Sequence, residues 1–185
     1  MAATIDIDKM FLDPAPPTAF RFKAPPLIAL LLLCSLHASG ADWPMWRADA
    51  ARRGTSTAKL PDKLYLQWTL ELAKPDTAWP ANQEKLQFDR LYEPVLAGKR
   101  LFVPSMISDK LTAFDTDSGK ELWRFYTDGP VRFAPAIWKN KIFIACDDGY
   151  LYCLSTADGS LVWKFRGGPS ERRVLGNDRL ISTWP

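Results

Sequence analysis

The sequence predicts an all-β protein assembled from repeated four-stranded units, and three observations lead to that prediction. The first is a repeat: "LTAFDTDSGKELWRF" at residues 111–125 returns as "LYCLSTADGSLVWKF" at residues 151–165. The second is a tryptophan at the same place in each copy, Trp123 and Trp163. The third is a glycine-containing turn before each tryptophan, which separates two short β-rich runs. Together they indicate a structural unit that recurs about every 40 residues.

The repeat extends upstream of these stretches. Residues 101–103 align with residues 142–144 at an offset of 41, and residues 111–125 align with residues 151–165 at an offset of 40. One extra residue is therefore expected in the turn at residues 106–109 of the first copy. A third copy begins at "VLGNDRLIS", residues 174–182, in which residues 179–181 match residues 100–102. A fixed period of this length is typical of stacked or radial repeats.

Each unit has the pattern of four short strands joined by tight turns. In the second copy, residues 141–146 and 150–155 are β-rich runs separated by "DDG", where Gly149 permits a left-handed backbone. Residues 161–165 form a third run, and "RFAPAIW" supplies a fourth with Pro135 near its start. Four antiparallel strands in roughly 40–45 residues are typical of a β-propeller blade. A parallel solenoid, the main alternative, would use shorter repeats with fewer hairpins.

The number of units predicts a partial β-propeller. The chain holds about three blades, whereas closed propellers have four to eight. We assign the repeats to residues 63–185 and a lead-in segment to residues 41–62. The ring is not closed by these residues, so the chain is expected to behave as a truncated, N-terminal fragment of a larger propeller.

An export signal is predicted at residues 1–40. Arg21 and Lys23 precede the apolar run "LIALLLLCSL", and the small residues of "HASGA" follow it, in the order of a secretory signal peptide. The apolar run is shorter than the ~20 residues of a membrane-spanning helix. Cleavage after Gly40 and cleavage after Ala41 both fit. The mature protein is therefore expected in the periplasm or outside the cell, or membrane-anchored if the signal stays uncleaved.

The composition argues against several classes of function. The net charge is +3 with no block of Lys or Arg, so the chain lacks the electrostatic footprint of a nucleic-acid-binding protein. The single histidine, His37, lies within the predicted signal. The mature chain would then have no imidazole for a Ser-His-Asp or Cys-His catalytic set, and few ligands for a transition metal.

Two groups of acidic residues are more typical of turns than of metal sites. "DTDSGKE" places Asp115 and Asp117 like the acids of a calcium loop. Gly119 falls at the fifth loop position rather than the sixth, and Tyr126 stands where a glutamate is required. The "DDG" at residues 147–149 is likewise typical of a hairpin turn.

Two cysteines, Cys146 and Cys153, flank that second turn. A two-residue loop at residues 148–149 would place Cys146 opposite Leu151 and Cys153 opposite Ile144, on one face of the sheet but diagonal to each other. A diagonal separation of ~7–8 Å disfavours a disulfide. The sequence leaves the redox state of both cysteines open, since an exported protein can form disulfides.

The stretch "AFDTDSGKELW" resembles the tryptophan-docking motif of propellers of the pyrroloquinoline-quinone (PQQ) type. The family pattern is A-x-D-x-x-T-G-x-x-x-W, which Ala113, Asp115, Gly119 and Trp123 match. Ser118 stands in place of the threonine. In this family the tryptophan packs between neighbouring blades, and its indole N–H bonds to a carbonyl of the next one. The resemblance therefore implies that these residues dock one blade on another.

The resemblance extends along the chain from residue 42. The second copy keeps Gly159 and Trp163, and both tryptophans of the repeat are expected to be buried. "LYLQWTLEL" at residues 64–72 looks like another outer strand, with Trp68 in the docking place. "DWPMWRADAARRG" resembles the "DWPxWRG" segment that opens exported repeat proteins of this type, although Ala48 replaces the usual glycine.

The resemblance implies two functions of different classes. Quinoprotein dehydrogenases of this type hold PQQ and Ca²⁺ at the propeller axis, and several carry a pair of adjacent cysteines, which this sequence lacks. Other members keep the blades without the cofactor, among them an outer-membrane-protein assembly factor. The residues favour the second group: an exported, non-catalytic binding or scaffold module of the cell envelope. Its partner would be a protein or an envelope polymer, with membrane contact only through the export signal and with no catalytic, cofactor-binding or metal residues.

The alternative is the N-terminal part of a PQQ-dependent quinoprotein oxidoreductase whose cofactor site lies beyond residue 185. PQQ and calcium would belong to the protein only in that case. The sequence determines neither the ligand, the partner nor the total number of blades, and it leaves enzymatic activity open.

Overall fold

The computed structural model describes residues 42–80, 82–87, 89–176 and 178–183. This part of the chain contains ten β-strands and no helix, so it has no helix long and apolar enough to cross a membrane. The strands are β1 Val95–Ala97, β2 Arg100–Ser105, β3 Lys110–Asp115, β4 Glu121–Tyr126, β5 Ala136–Trp138, β6 Lys141–Ala145, β7 Tyr150–Ser155, β8 Leu161–Arg166, β9 Arg173–Gly176 and β10 Arg179–Ser182. The predicted export signal lies outside the described residues.

The strands form two four-stranded antiparallel sheets and one two-stranded hairpin. The first sheet, blade 1, has the order β1-β2-β3-β4, and the second, blade 2, has the order β5-β6-β7-β8. The β9–β10 hairpin has the register of β1 with β2: Arg179 lies opposite Gly176 as Arg100 lies opposite Ala97. The prediction of an all-β, partial β-propeller with four-stranded blades is confirmed for the described residues.

The turns explain why the two blades differ by one residue in length. In blade 1, Ser105 pairs with Lys110 across a four-residue loop. In blade 2, the Cys146 N–H bonds to the Tyr150 carbonyl (3.1 Å), which leaves a three-residue loop. The extra residue expected at residues 106–109 is therefore confirmed.

The predicted two-residue loop at residues 148–149 is wrong, and with it the placement of the two cysteines. The Gly149 N–H bonds to the Cys146 carbonyl (2.9 Å), and Gly149 has a φ of 89°, the geometry of a three-residue hairpin loop. The register moves by one residue, so Cys153 lies opposite Phe143. Because side chains alternate along a strand, Cys146 and Cys153 lie on opposite faces of the sheet. Both are buried free thiols.

The hydrophobic core lies between the two blades. Blade 1 contributes the face that carries Phe102 and Leu111, and blade 2 contributes the face that carries Ile142, Ile144 and Leu154. All five side chains are buried, and each such burial stabilises the fold by roughly 1.5–3 kcal/mol. The contact between blades is therefore the main source of stability, as expected of a repeat architecture.

Residues 64–72 do not form the predicted outer strand. No strand of the described residues pairs with them. They lie along the second face of blade 1, where Leu70 and Leu72 line a depression together with Val103 and Phe114. A strand needs a hydrogen-bonded neighbour on at least one edge, and an alternating apolar pattern does not by itself provide one.

The β9–β10 hairpin lies against the loops at one end of the two blades. The Ser182 N–H bonds to the Asp147 carbonyl (2.7 Å), and the Arg179 guanidinium bonds to the Asp109 carboxylate (3.0 Å). In an antiparallel meander, the loops after the second and fourth strands emerge at the same end. We call this end the loop end, and it consists of residues 106–109, 127–135 and 147–149.

Candidate functional site

Two tryptophans dock on turns that belong to the following repeat. The indole N–H of Trp68 donates a hydrogen bond to the Thr116 carbonyl (2.8 Å), and that of Trp123 donates to the Thr156 carbonyl (3.1 Å). Thr116 and Thr156 occupy the same place in the repeat, between the third and fourth strands of their blades. Each indole therefore joins one repeat to the next.

Gly119 and Gly159 provide the space for these two rings. Their φ angles are 69° and 73°, in the left-handed region that favours glycine. A Cβ atom on Gly119 would lie 2.8 Å from the Trp68 ring, and one on Gly159 would lie 2.5 Å from the Trp123 ring. Because both distances are shorter than ordinary carbon contacts, a side chain at either position would displace the docked ring.

The other motif residues lie on the blade faces that carry the tryptophans. Ala113 is buried and pairs across the strands with Trp123, which is 9% exposed. In blade 2, Trp163 pairs with Cys153 and lies 5.9 Å from Phe143 between ring centres. Trp163 is only half-buried. The two tryptophans are equivalent in position, but their burial differs.

One acid holds the turn of each blade, Asp115 in blade 1 and Asp158 in blade 2, at different positions of the repeat. Asp115 Oδ1 accepts hydrogen bonds from the N–H (2.8 Å) and hydroxyl (2.7 Å) of Ser118. Asp158 Oδ1 accepts the same pair from Ser160 (3.1 and 2.8 Å). These bonds lower the pKa of both carboxyls. Within the described ranges, no group of three or more His, Cys, Asp or Glu is placed to hold a metal ion.

The lead-in segment covers the inner strands of both blades. Trp43 and Leu96 exchange two backbone hydrogen bonds (2.8 and 2.9 Å), and the Pro44 carbonyl accepts one from the Ile137 N–H (2.7 Å). Leu96 belongs to β1 and Ile137 belongs to β5, the first strands of the two sheets. On their other sides, β1 pairs with β2 and β5 pairs with β6. The segment therefore satisfies backbone groups on two neighbouring blades, which ties them together.

Ala48 lies in a turn of the lead-in segment. It is buried and has a φ of 73°. Glycine adopts this left-handed conformation without steric cost, whereas the Cβ of alanine collides with the backbone. The alanine of this chain therefore carries backbone strain at this turn.

A buried arginine, Arg132, belongs to the loop end. Its Nε donates to the Asp147 carboxylate (2.6 Å), and a terminal nitrogen donates to the Asp89 carboxylate (2.7 Å) and to the Asp76 carbonyl (2.6 Å). Asp89 also accepts a hydrogen bond from the Ala78 N–H (2.8 Å). Removal of the Arg132 side chain would leave both carboxylates without their partner, so the cluster holds three separate loops in one arrangement.

Two carboxylates share this single guanidinium. Burial raises the pKa of the Asp147 carboxyl, and Arg132 acts in the opposite direction. Oδ1 of Asp89 is buried and accepts no hydrogen bond from the described residues. The cluster therefore has two carboxyl groups for one guanidinium.

A further buried acid, Asp148, holds the turn of blade 2. Its carboxylate accepts hydrogen bonds from the Tyr152 hydroxyl (2.5 Å) and the Tyr150 N–H (2.9 Å). Burial, followed by the bond to Asp148, raises the pKa of Tyr152. The nearby Cys146 thiol donates to the Gly129 carbonyl (3.2 Å), and burial raises its pKa as well. A buried thiol with a raised pKa is a poor nucleophile.

An open depression of about 400 Å³ lies where the lead-in segment passes the starts of β1 and β5. It is lined by Trp46, Arg52, Glu93, Phe133 and Ala134. The Arg52 guanidinium lies 5.0 Å from the centre of the Trp46 ring, and the Glu93 carboxylate accepts a hydrogen bond from the Ala134 N–H (3.2 Å). Both charged side chains are thus engaged with the walls of the depression.

Sequence reasoning did not find the Arg132 cluster. The one local signal is an arginine inside the otherwise apolar run "VRFAPAIW", because a charged residue in a buried run must be paired. Its partners could not be named, since Asp147 lies 15 residues away and Asp89 lies 43 residues away along the chain.

Comparisons with known proteins give a family and several structural resemblances. The sequence model of the family described as outer membrane protein assembly factor BamB matches residues 44–182. A comparison with the curated proteins found no match. Solved structures that resemble the chain include BamB from Moraxella catarrhalis, at 22% identity and a TM-score of 0.35, over 44% of this chain and 28% of that one. The quinohemoprotein alcohol dehydrogenase from Comamonas testosteroni is 24% identical, with a TM-score of 0.48, over 69% of this chain and 19% of that one. A europium-containing methanol dehydrogenase is 17% identical, with a TM-score of 0.47, over 69% of this chain and 23% of that one.

The chain spans less than a third of the length of each of these structures. The family match is more extensive on this chain, because it runs from the lead-in segment through both blades to the end of the β9–β10 hairpin. The chain therefore belongs to the family of PQQ-like β-propeller repeat proteins whose model is described as outer membrane protein assembly factor BamB.

Proposed function

We propose that the protein is an exported, non-catalytic β-propeller module that binds another protein in the cell envelope. The observation that carries this proposal is the family match over residues 44–182, because the description of that family names the assembly of outer membrane proteins. Assembly of this kind depends on contacts between proteins. The charged, apolar and small-residue order of residues 1–40 supports export.

The chemistry of the loop end supports binding rather than catalysis. The described residues contain no histidine. Asp148 is buried and Asp147 is half-buried. They accept hydrogen bonds from Tyr152 and Arg132, whereas a general acid or base needs access to a proton of the substrate. Loops fixed in this way present a surface of defined shape, which lowers the ordering cost of association.

Localisation and crosslinking in a Gram-negative host test the proposal. The full chain with its own N-terminus carries a photo-crosslinking amino acid at Phe133 of the loop end, which is 51% exposed. The matched control carries it at Leu122 on the outer strand β4, which is 47% exposed. We expect the protein in the envelope fraction, a new N-terminus at Ala41 or Asp42, and one discrete protein adduct from position 133 only.

A soluble cytoplasmic protein that begins at Met1 or Met10 would contradict export. An envelope protein without adducts from either position would contradict the binding role. PQQ that is added with Ca²⁺ and stays with the full chain through gel filtration would favour the alternative, a quinoprotein oxidoreductase.

A further inference from the structure

The loop that precedes β1 is much longer than the loop that precedes β5. Trp68 and Trp123 dock in the same way, but the chain from Trp68 to β1 is roughly twice as long as the chain from Trp123 to β5. The surplus falls within residues 73–91, which we call the insertion. Insertions in a repeat protein lie on one face, which is often the binding face. The way in which the insertion is held therefore bears on binding.

Arg132 closes the insertion and joins it to blade 2. Asp89 Oδ2 accepts a hydrogen bond from the Ala78 N–H (2.8 Å), which brings the two ends of the insertion together. A terminal nitrogen of Arg132 donates to the same oxygen (2.7 Å) and to the Asp76 carbonyl (2.6 Å). The Nε of Arg132 donates to the carboxylate of Asp147, in the turn between β6 and β7 (2.6 Å). One guanidinium thus fixes the insertion on the loop end.

This guanidinium has two carboxyl partners in surroundings that hold little water. The side chains of Arg132 and Asp89 are 3% and 1% exposed, and that of Asp147 is 14% exposed. Oδ1 of Asp89 is buried and accepts no hydrogen bond from the residues that the structure describes. When both carboxyls are ionised, one negative charge has no counter-charge within the cluster, which is costly in a buried site. A single proton on one carboxyl removes that charge.

Asp147 is the member of the cluster that takes up this proton. Burial raises the pKa of its carboxyl, Arg132 lowers it, and the charges of Asp89 and Asp148 raise it. Asp147 is also the more exposed of the two acids, so a proton from solvent reaches it first. Any chain that packs against this turn would bury Asp147 further, and its pKa would be raised further for the same reason.

The remaining charged and titratable groups at the loop end have partners of their own. They are Asp109 with Arg179, Asp128 with Arg173, Asp148 with Tyr152, Cys146 with the Gly129 carbonyl, and Arg166 with the Asp148 carbonyl. Burial raises the pKa of Asp109 as well, and Arg179 acts in the opposite direction. Asp109 is therefore a matched control for Asp147, because it is a half-buried acid of the loop end that does not touch Arg132.

We propose that Asp89, Arg132 and Asp147 form a proton-linked latch, which holds the insertion on the loop end while the cluster carries one proton and loosens when both carboxyls are ionised. Closing the latch takes up one proton from solvent, and opening it returns that proton. The inference rests on the proposed binding function, for which it names a means of regulation. A partner meets a fixed insertion in mild acid and a looser one at higher pH.

The direction of the pH effect follows from the environment of Asp147. Its pKa in the folded state is raised above the ordinary value of 3.8. The stabilisation that the bound proton provides is therefore fully present below that ordinary value, and it is lost as the pH rises through the pKa of the folded state. Each unit by which the pKa is raised corresponds to about a tenfold change in the opening equilibrium of the latch.

Hydrogen exchange of the full chain at a series of pH values tests the latch without any substitution. The reporter is the Ala78 amide, which is bonded to Asp89 inside the latch. After correction for the intrinsic exchange rate at each pH, we expect its protection factor to be at least about fivefold higher at about pH 5 than at about pH 8. The amides of β2 and β3 should keep their protection factors, because these strands do not belong to the latch.

Two substitutions identify the group that titrates. Asp147→Asn keeps the size of the side chain and an oxygen that accepts the Arg132 bond, but this side chain does not ionise. It should therefore keep the Ala78 amide protected across the series and remove the pH dependence. Asp109→Asn removes the other half-buried acid whose pKa burial raises. It should leave the pH dependence of the Ala78 amide as it is in the unmodified chain.

Three results would each rule out the latch. These are equal protection of the Ala78 amide at both pH values, better protection at the higher pH, and the same effect of Asp147→Asn and Asp109→Asn. The crosslink from Phe133 separates the latch from the binding function. An envelope adduct together with pH-independent exchange retains the binding function and removes the latch. Exchange that depends on pH as expected, in a chain that gives no adduct, supports the latch and counts against the binding function.

Discussion

Equivalent faces of the two blades carry the same pair of aromatic rings in nearly the same geometry. The ring centres of Phe102 and Trp123 in blade 1 are 5.7 Å apart at an interplanar angle of 53°, and those of Phe143 and Trp163 in blade 2 are 5.9 Å apart at 50°. Trp123 is buried, whereas Trp163 is half-buried. The ring geometry is therefore set within a blade.

Burial of the face, in contrast, depends on its neighbour. Leu111 of blade 1 is 0% exposed, and its counterpart Leu151 in blade 2 is 36% exposed. Blade 2 covers the face of blade 1 that carries Leu111, with side chains such as Ile144. The β9–β10 hairpin contacts the loop end and leaves the face of blade 2 that carries Leu151 partly exposed. The side chains of a face are thus arranged within one blade, and they contribute to stability only when the next blade buries them.

Alanine substitution of the two tryptophans should give the largest difference between the faces. Trp123→Ala removes a buried ring and its bond to Thr156, and should lower the free energy of unfolding by about 3–5 kcal/mol. Trp163→Ala removes a half-buried ring and should cost about 1–2 kcal/mol. Urea unfolding followed by circular dichroism measures both values. Equal losses would show that the neighbouring blade is not the source of the stability.

The leucine pair repeats this comparison without a hydrogen bond. Leu111→Ala should cost about 2–4 kcal/mol, because a buried methyl-rich side chain is replaced by a cavity. Leu151→Ala should cost less than about 1 kcal/mol, since the side chain already contacts water. Thermal unfolding of the two variants gives the comparison. A loss at Leu151 as large as that at Leu111 would contradict it.

Glycine substitutions separate backbone strain from the fit of the docked ring. Gly159→Ala adds a Cβ atom against the Trp123 ring at a φ of 73° and should cost about 2–3 kcal/mol. Gly98→Ala is the control, because its φ is 59° and nothing lies within 4 Å of the added atom; we expect about 1 kcal/mol. Near-ultraviolet circular dichroism should change only for Gly159→Ala. Equal losses of unfolding free energy in the two variants would mean that backbone strain accounts for the whole effect and that the contact with the Trp123 ring adds nothing.

The turn acids should differ least between the blades. Hydrogen bonds from Ser118 and Ser160 lower the pKa of Asp115 and Asp158 below the usual value of 3.8. A carboxyl whose pKa is lowered on folding stabilises the folded state at pH values above its unfolded pKa. This stabilisation disappears as the pH falls through the pKa of the folded state. Asp115→Asn and Asp158→Asn should therefore cost similar, small amounts of stability at neutral pH and nothing at about pH 2. Unequal losses across a pH series would show that the turns, too, depend on the neighbouring blade.

The sequence predicted what is local to one copy of the repeat. The change of offset from 41 to 40 predicted the longer loop at residues 106–109, and the match of residues 179–181 with residues 100–102 predicted the start of β10. Both predictions depend on residues that lie a few positions apart in one hairpin, where turn length sets the pairing.

One local choice was wrong: "DDG" fits both a two-residue and a three-residue loop, and the two-residue choice misplaced Cys146 and Cys153.

Features that depend on a distant segment were not predictable. Residues 64–72 have the pattern of a strand but no pairing partner among the described residues. Arg132 finds Asp89 across 43 residues of chain. Each outcome depends on which segment packs alongside, and periodicity does not encode that choice.

The direction of the tryptophan contacts has a consequence for the order of folding in a chain that emerges N-terminus first. Trp68 bonds to a carbonyl 48 residues later in the chain, and Trp123 bonds to one 33 residues later. Each ring therefore has no acceptor until that stretch of chain has emerged as well. A repeat is completed only by the repeat that follows it, so folding runs from the N-terminus towards the C-terminus. A stall in emergence just after a tryptophan would prolong the exposure of its ring, whereas a stall after the next turn would not.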